Sequence, residues 1–111
     1  MRAMDSLMAL GDPTRRQIVE LLGRGERASG DIAERFDISA PAVSQHLKVL
    51  KEARLVQVRV EGQRRVYSLD PEGLQMIDEW LAEVRRFWTG RLDALEQALR
   101  APVAKEKRRK K

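Results

Sequence analysis

At 111 residues the chain makes one domain, or one domain with tails, around a single modest core. It contains no cysteine, which excludes disulfides, thiolate metal sites, iron–sulfur clusters and cysteine nucleophiles and suits a cytoplasmic protein. The net charge of +5 is unevenly held: residues 39–69 sum to +4 and 101–111 to +5, while 1–38 and 70–100 come to −1 and −3. A positive middle between mildly negative flanks points to nucleic acid, because binding needs charge concentrated on one surface.

The longest apolar runs, such as Leu7 to Leu10, are four residues. A bilayer span needs roughly 20, and Asp5 breaks the opening stretch too early for a secretion signal. Met4, Leu7, Met8 and Leu10 fit a short first helix ending at Gly11. Asp12-Pro13 restarts the chain with a capping carboxylate and a proline where no donor is needed. Ile18, Val19, Leu21 and Leu22 give that second helix its apolar face, and Gly23 and Gly25 stop it. Ser29 is placed to cap a short third helix bearing Ile32, Ala33 and Phe36.

After Asp37 and Ile38, Ser39 caps a fourth helix predicted over 40–53. Val43, Leu47 and Leu50 fall on one narrow face, and Pro41, Ser44, Gln45 and Lys48 point the other way. Pro41 lies in the first turn, where proline is tolerated. Two short helices joined by a tight turn make a helix-turn-helix. Val56, Val58 and Val60 then alternate with Gln57, Arg59 and Glu61, residues 61–64 turn, and 65–69 return as a second strand. A hairpin directly after a helix-turn-helix reads as a wing.

Asp70-Pro71 opens a long last helix over 71–99. Leu74, Ile77, Leu81, Val84, Trp88, Leu92, Leu95 and Leu99 recur every three or four residues, and Trp80 and Phe87 widen the stripe. Such a helix is roughly 43 Å long at 1.5 Å per residue, whereas a body of about seventy residues has a radius of gyration near 11 Å. Something else must bury the excess stripe, and another copy of the chain is the cheapest candidate. Residues 1–100 thus form the folded domain. Residues 101–111 read as a basic, disordered tail, either without a function of its own or a source of sequence-independent affinity for DNA.

Three blocks carry a family resemblance: Ala9-Leu10-Gly11-Asp12-Pro13-Thr14-Arg15-Arg16, Pro41-Ala42-Val43-Ser44-Gln45-His46-Leu47-Lys48-Val49-Leu50, and Glu61-Gly62-Gln63-Arg64-Arg65-Val66-Tyr67. In this order they resemble the ArsR/SmtB family of bacterial transcriptional repressors over residues 4–99. The resemblance implies a mainly α fold with a small β-hairpin, a winged helix-turn-helix that dimerises through its first and last helices. It also implies a double-stranded, inverted-repeat operator released on a signal. Metal-sensing members place Cys-x-Cys ahead of an Asp in the third helix; here Ala28 and Gly30 precede Asp31. The last helix holds no histidine, and carboxylates such as Glu72, Asp78, Glu79 and Glu83 alone make no selective transition-metal site. No cofactor or metal is therefore expected. Glycine often stands in the family where this chain has Asp37 and Arg54, so Arg54 would cost about 1 kcal/mol if it ends the fourth helix at positive φ.

The proposed DNA surface joins helix and wing. Lys48, Arg59, Arg64 and Arg65 neutralise phosphates, with Gln63 at the wing tip. Gln45 can pair with adenine, Ser44 with either partner, and Pro41 or Ala40 can touch a thymine methyl. Ser39 and His46 complete the set, His46 chiefly through packing and a hydrogen bond. Arg15 is expected to serve as a structural ion-pair partner and Tyr67 to cover the core side of the wing. Met4, Leu7, Met8, Trp80, Leu81, Val84, Phe87, Trp88, Leu92 and Leu95 form the expected dimer surface. The alternative is a ligand- or metal-responsive sensor of the same fold, its effector site a small-molecule pocket among the aromatics between the last helices or an oxygen-ligand metal site on the last helix. No nucleophile–base pair or phosphate-binding glycine loop suggests an enzyme.

Overall fold

In a computed structural model the backbone is described for residues 2–110 and the side chains for residues 3–100. The expected tail, 101–111, lies outside the described side chains. Five helices and three strands follow in the order α1 (Arg2–Ala9), α2 (Pro13–Leu22), β1 (Arg27–Ala28), α3 (Ser29–Arg35), α4 (Ala40–Glu52), β2 (Val56–Glu61), β3 (Arg64–Leu69) and α5 (Pro71–Lys110). Among the described residues no helix is long and apolar enough to cross a membrane.

The caps legible in the sequence form as expected at α2, α4 and α5. Asp12 accepts from the Arg15 N–H at 3.0 Å, Ser39 Oγ from the Ala42 N–H at 3.3 Å, and Asp70 Oδ1 from the Glu72 N–H at 2.9 Å. Ser29 is a correction. Ala28 holds the cap position of α3 with no side-chain bond, and Ser29 is the first helical residue. The reason is a strand that local pattern does not reveal. Arg27 and Ala28 are extended because they pair with Tyr67 and Val66, so Ala28 takes the cap position and the helix starts one residue earlier than a serine cap would place it. The wing is therefore part of a three-stranded antiparallel sheet, ordered β1-β3-β2. Its hairpin register runs from Val56 opposite Leu69 to Glu61 opposite Arg64. Gly62, first of the two loop residues, has φ 61°, where only glycine is free of a Cβ penalty.

The core lies where α2, α3, α4 and the sheet converge. Ile18, Ile32, Leu50 and Leu55 are fully enclosed, and Tyr67 is buried on the core side of the wing as its position suggested. Ser6 is the one buried polar side chain among the described residues, and its hydroxyl donates to the Ala53 carbonyl at 2.8 Å.

Helix α4 ends at Arg54, the only non-glycine residue with positive φ among those described, at 63°. Asp37 needs no left-handed conformation. The Arg54 N–H donates to the Lys51 carbonyl and the Leu55 N–H to the Leu50 carbonyl, the paired bonds of a Schellman motif, with Leu50 and Leu55 in apolar contact behind them. The Arg54 carbonyl then accepts from the Gly73 N–H at 2.8 Å. A Cβ on Gly73 would stand 2.3 Å from that oxygen, so this junction requires glycine.

The chain divides into two units, residues 1–78 and 79–111. Helix α5 extends past the periodic stretch that ends near 99, to Lys110. In the second unit Leu81, Phe87, Trp88, Leu92, Leu95 and Leu99 are exposed, and the Phe87 and Trp88 rings meet edge to face at 5.9 Å.

Candidate nucleic-acid interface

Helix α4 presents three kinds of side chain on three flanks. Val43, Leu47 and Leu50 are buried against the core. Opposite them Ala40, Pro41 and Gln45 are exposed, directly after the Ser39 cap. A third stripe, Ser44, Lys48 and Lys51 at i, i+4 and i+7, faces the wing. There it meets Ser29, Val58, Arg65 and Tyr67 around a groove of about 390 Å³. Backbone geometry explains the convergence: the Schellman turn sends β2 back alongside α4, and β3 then carries Arg65 across from Lys48.

Among the described residues, Lys48, Lys51 and Arg65 form no ion pair. The groove thus gathers three uncompensated cations and two serine hydroxyls, with Tyr67, around an apolar floor of Leu47 and Val58. Such a channel favours a phosphate, which accepts hydrogen bonds and carries the opposite charge. A neighbouring hollow of about 670 Å³ between Lys51 and Gln57 also includes Glu52 and Asp70, so its charge is mixed. Lys51 and Ser29 were not among the DNA contacts expected from sequence. The signal for Lys51 was present, since it continues the Ser44–Lys48 stripe by one turn; Ser29 was concealed by its assignment as a cap.

The other wing residues are placed differently. Arg64 sits 4.0 Å from Asp31 of α3, with both side chains largely exposed, a weak pair that a phosphate can replace. Gln63 is exposed at the tip. Arg59 is held on both sides: its guanidinium donates twice to Glu26, at 2.5 and 2.6 Å, and once to Glu61 at 2.8 Å. The Arg59 hydrogen bonds hold the Glu26 carboxyl below the ordinary carboxylate range, and both carboxylates raise the arginine in turn. Its charge is satisfied within the protein, so Arg59 fixes the wing to the loop before β1.

His46 lies on the remaining flank of α4, half-buried. Arg15 Nη1 donates to its Nδ1 at 3.4 Å, and the Asp12 carboxylate stands 3.9 Å from the same nitrogen. Arginine can only donate, so the Arg15 bond forms where Nδ1 carries no proton, and an imidazolium faces the Asp12 carboxylate from the same nitrogen. The backbone N–H of Arg15 holds Asp12 below its ordinary value, with His46 and Arg15 adding to the effect. Arg15 Nε meanwhile donates to the Ala9 carbonyl at 2.5 Å. The expected structural role of Arg15 is thus filled by a carbonyl and an imidazole.

Of the expected dimer residues, Met4 and Met8 are exposed on α1, whereas Leu7 packs partly against the chain's own core. Trp80 and Val84 are half-buried, and Leu81, Phe87, Trp88, Leu92 and Leu95 are exposed. Arg91 stacks over the Phe87 ring at 4.9 Å. No three His, Cys, Asp or Glu side chains gather as a metal-binding group among the described residues.

Comparison with known proteins places this arrangement. The sequence profile described as "Bacterial regulatory protein, arsR family" matches residues 12–58. The chain is 52% identical over 91 residues to the HTH-type transcriptional regulator Rv2034 of Mycobacterium tuberculosis, covering 82% of each. It is 45% identical over 73 residues to the transcriptional repressor SdpR of Bacillus subtilis, covering 66% of this chain and 81% of that one. Among solved structures, the ArsR family transcriptional regulator RHA00566 matches with a TM-score of 0.75 at 27% identity, over 80% of this chain and 98% of that one. The homodimeric winged helix-turn-helix DNA-binding domain of Mb0332 from Mycobacterium bovis matches with a TM-score of 0.61 at 29% identity, over 84% and 83%.

Proposed function

This chain belongs to the arsR family of bacterial regulatory proteins, and on that premise we propose that α4 reads an operator while the groove beside it seats the phosphate backbone. It is a homodimeric winged helix-turn-helix transcriptional regulator of the repressor type, and it is not an enzyme. Its site of action is the cytoplasm, where a bacterial chromosome lies, and its targets are its own or neighbouring genes.

The observation that carries the reading is the juxtaposition on one helix of an exposed Gln45–Pro41 face and a stripe of uncompensated cations. Gln45 supplies the donor–acceptor pair that matches adenine in the major groove, with Ala40 and Pro41 beside it for a thymine methyl. Lys48, Lys51, Arg64 and Arg65 neutralise phosphates, and the Ser29 and Ser44 hydroxyls donate to them. Two copies would place their α4 helices in successive major grooves about 34 Å apart, on an inverted repeat. Met4, Met8 and the exposed residues of α5 form the pairing surface.

Footprinting on the upstream region of the gene tests the reading, and Gln45→Ala tests its central residue. The substitution is expected to weaken binding to the protected sequence by about ten- to a hundredfold, with random duplex little changed. Equal losses on both duplexes would remove Gln45 from base readout.

A further inference from the structure

Helix α1 has no basic residue in its last turn, so its terminal carbonyls are satisfied from the next helix. Arg15 Nε donates to the Ala9 carbonyl at 2.5 Å and Arg16 Nη1 to the Leu10 carbonyl at 2.8 Å. The far end of the Arg15 guanidinium reaches His46 on α4, where Asp12 also stands. A second tie joins α1 to the C-terminal end of α4, from buried Ser6 to the carbonyl of Ala53, whereas His46 lies midway along that helix. Helix α1 is thus pinned to α4 at two separated points. Its free face shows Met4 and Met8, 47% and 68% exposed.

We propose that Arg15 is a positioning residue that sets the orientation of α4 against α1, so that pairing of two copies through α1 fixes how the two reading helices are presented to DNA. The proposal rests on the reading above, in which α1 contributes to the dimer and α4 enters the major groove. Its physical basis is the shape of the guanidinium. A planar fork donates in two directions from one rigid group, here to a helix-terminal carbonyl and to an imidazole. Lysine retains the charge and satisfies one acceptor, but its single ammonium on a flexible stem cannot hold both. Arg15 does this from beneath α4, on the opposite flank from the Ser44–Lys48–Lys51 stripe, so its effect on DNA runs through His46 and not through a phosphate.

The experiment uses the full chain, with a duplex selected by the parental protein from a random pool and a scrambled duplex as reference. Arg15→Lys is expected to keep the dimer in sedimentation and the helical signal in circular dichroism. Its affinity for the selected duplex falls about tenfold while the scrambled duplex binds within about twofold of the parent. His46→Leu, which leaves the Ala9 bond in place, should give a similar loss, and the double variant should be no worse than the poorer single one. Additive losses would make His46 a separate DNA contact and overturn the coupling. Undiminished discrimination by Arg15→Lys, or equal losses on both duplexes, would also overturn it. Should Arg15→Lys fail to dimerise, His46→Leu decides: a dimer that loses discrimination supports the proposal, and one that keeps it refutes it. A parental protein that selects no sequence would refute the functional reading itself, an outcome distinct from all of these.

Discussion

Two stretches of this chain carry large apolar residues at helical spacing and treat them in opposite ways. Within residues 1–78, Ile18, Ile32, Leu47, Leu50 and Leu55 are enclosed by α2, α3, α4 and the sheet. Within 79–100, Leu81, Phe87, Trp88, Leu92 and Leu95 recur at the same spacing and remain exposed. Periodicity therefore specifies that a helix has a face to bury and leaves open what buries it. Each such side chain gains roughly 1.5–3 kcal/mol when covered, so a row of them is stable in water chiefly as half of an interface. The first stretch makes the reading head self-sufficient; the second, on the proposed reading, is the face that pairs it with another copy.

The sharpest way to break that contrast is a charge in the second stretch. Leu92→Glu puts two carboxylates into a twofold interface and should weaken dimerisation on the order of a hundredfold or more. The same substitution leaves the enclosed core untouched, so the far-ultraviolet spectrum of residues 1–78 is expected to persist. Analytical ultracentrifugation reads the outcome. A Leu92→Glu protein that sediments as a dimer would place the interface elsewhere.

A smaller effect separates two arginines on the wing. Arg65 lies in the groove with no acidic partner among the described residues, and Arg59 is clasped by Glu26 and Glu61. Arg65→Ala should reduce the slope of log affinity against log salt by about 1, since one phosphate contact and its released counterion are lost. Arg59→Ala should leave that slope unchanged and loosen the wing instead, visible as faster amide exchange in β1 and β2. The clasp also has a pH signature. Glu26 is held below its ordinary value by Arg59, so the clasp is fully present above the ordinary carboxylate range and is lost as pH falls through the lowered value. Arg59→Ala should remove that acid-range dependence of wing protection.

What could be read in advance divides along the same line as local and non-local contact. The Ser39 cap, the Val43–Leu47–Leu50 stripe and the hairpin are legible because their signals lie within one turn or one strand. Strand β1 is not, since two residues cannot show an alternation and Arg27 and Ala28 are extended only by pairing with Tyr67 and Val66. The Arg59 clasp escapes for a similar reason: Glu26 lies 33 residues away, and spacing rules reach about one helical heptad. An arginine beside a reading helix looks like a phosphate contact until its partner across the sheet is seen. The positive φ of Arg54 was legible through the family resemblance, where glycine often occupies that position.

Arg54 supplies the smallest and cleanest of these tests. Its left-handed conformation ends α4, and its carbonyl anchors Gly73 at the start of α5. A non-glycine residue there costs about 1 kcal/mol relative to glycine, because its Cβ crowds the adjacent carbonyl. Its side chain recovers little, for the ion pair with Glu72 is 3.9 Å long with Arg54 62% exposed. Arg54→Gly should therefore stabilise the protein by somewhat under 1 kcal/mol, the glycine's extra freedom in the unfolded chain offsetting part of the gain. The expected reading is a thermal midpoint higher by a few degrees, with dimerisation and the salt slope of DNA binding unchanged. An unchanged or lower midpoint would show that the side chain of Arg54 contributes more than its exposed pair suggests. A reduced salt slope would add Arg54 to the phosphate contacts and extend the charged groove past the end of α4.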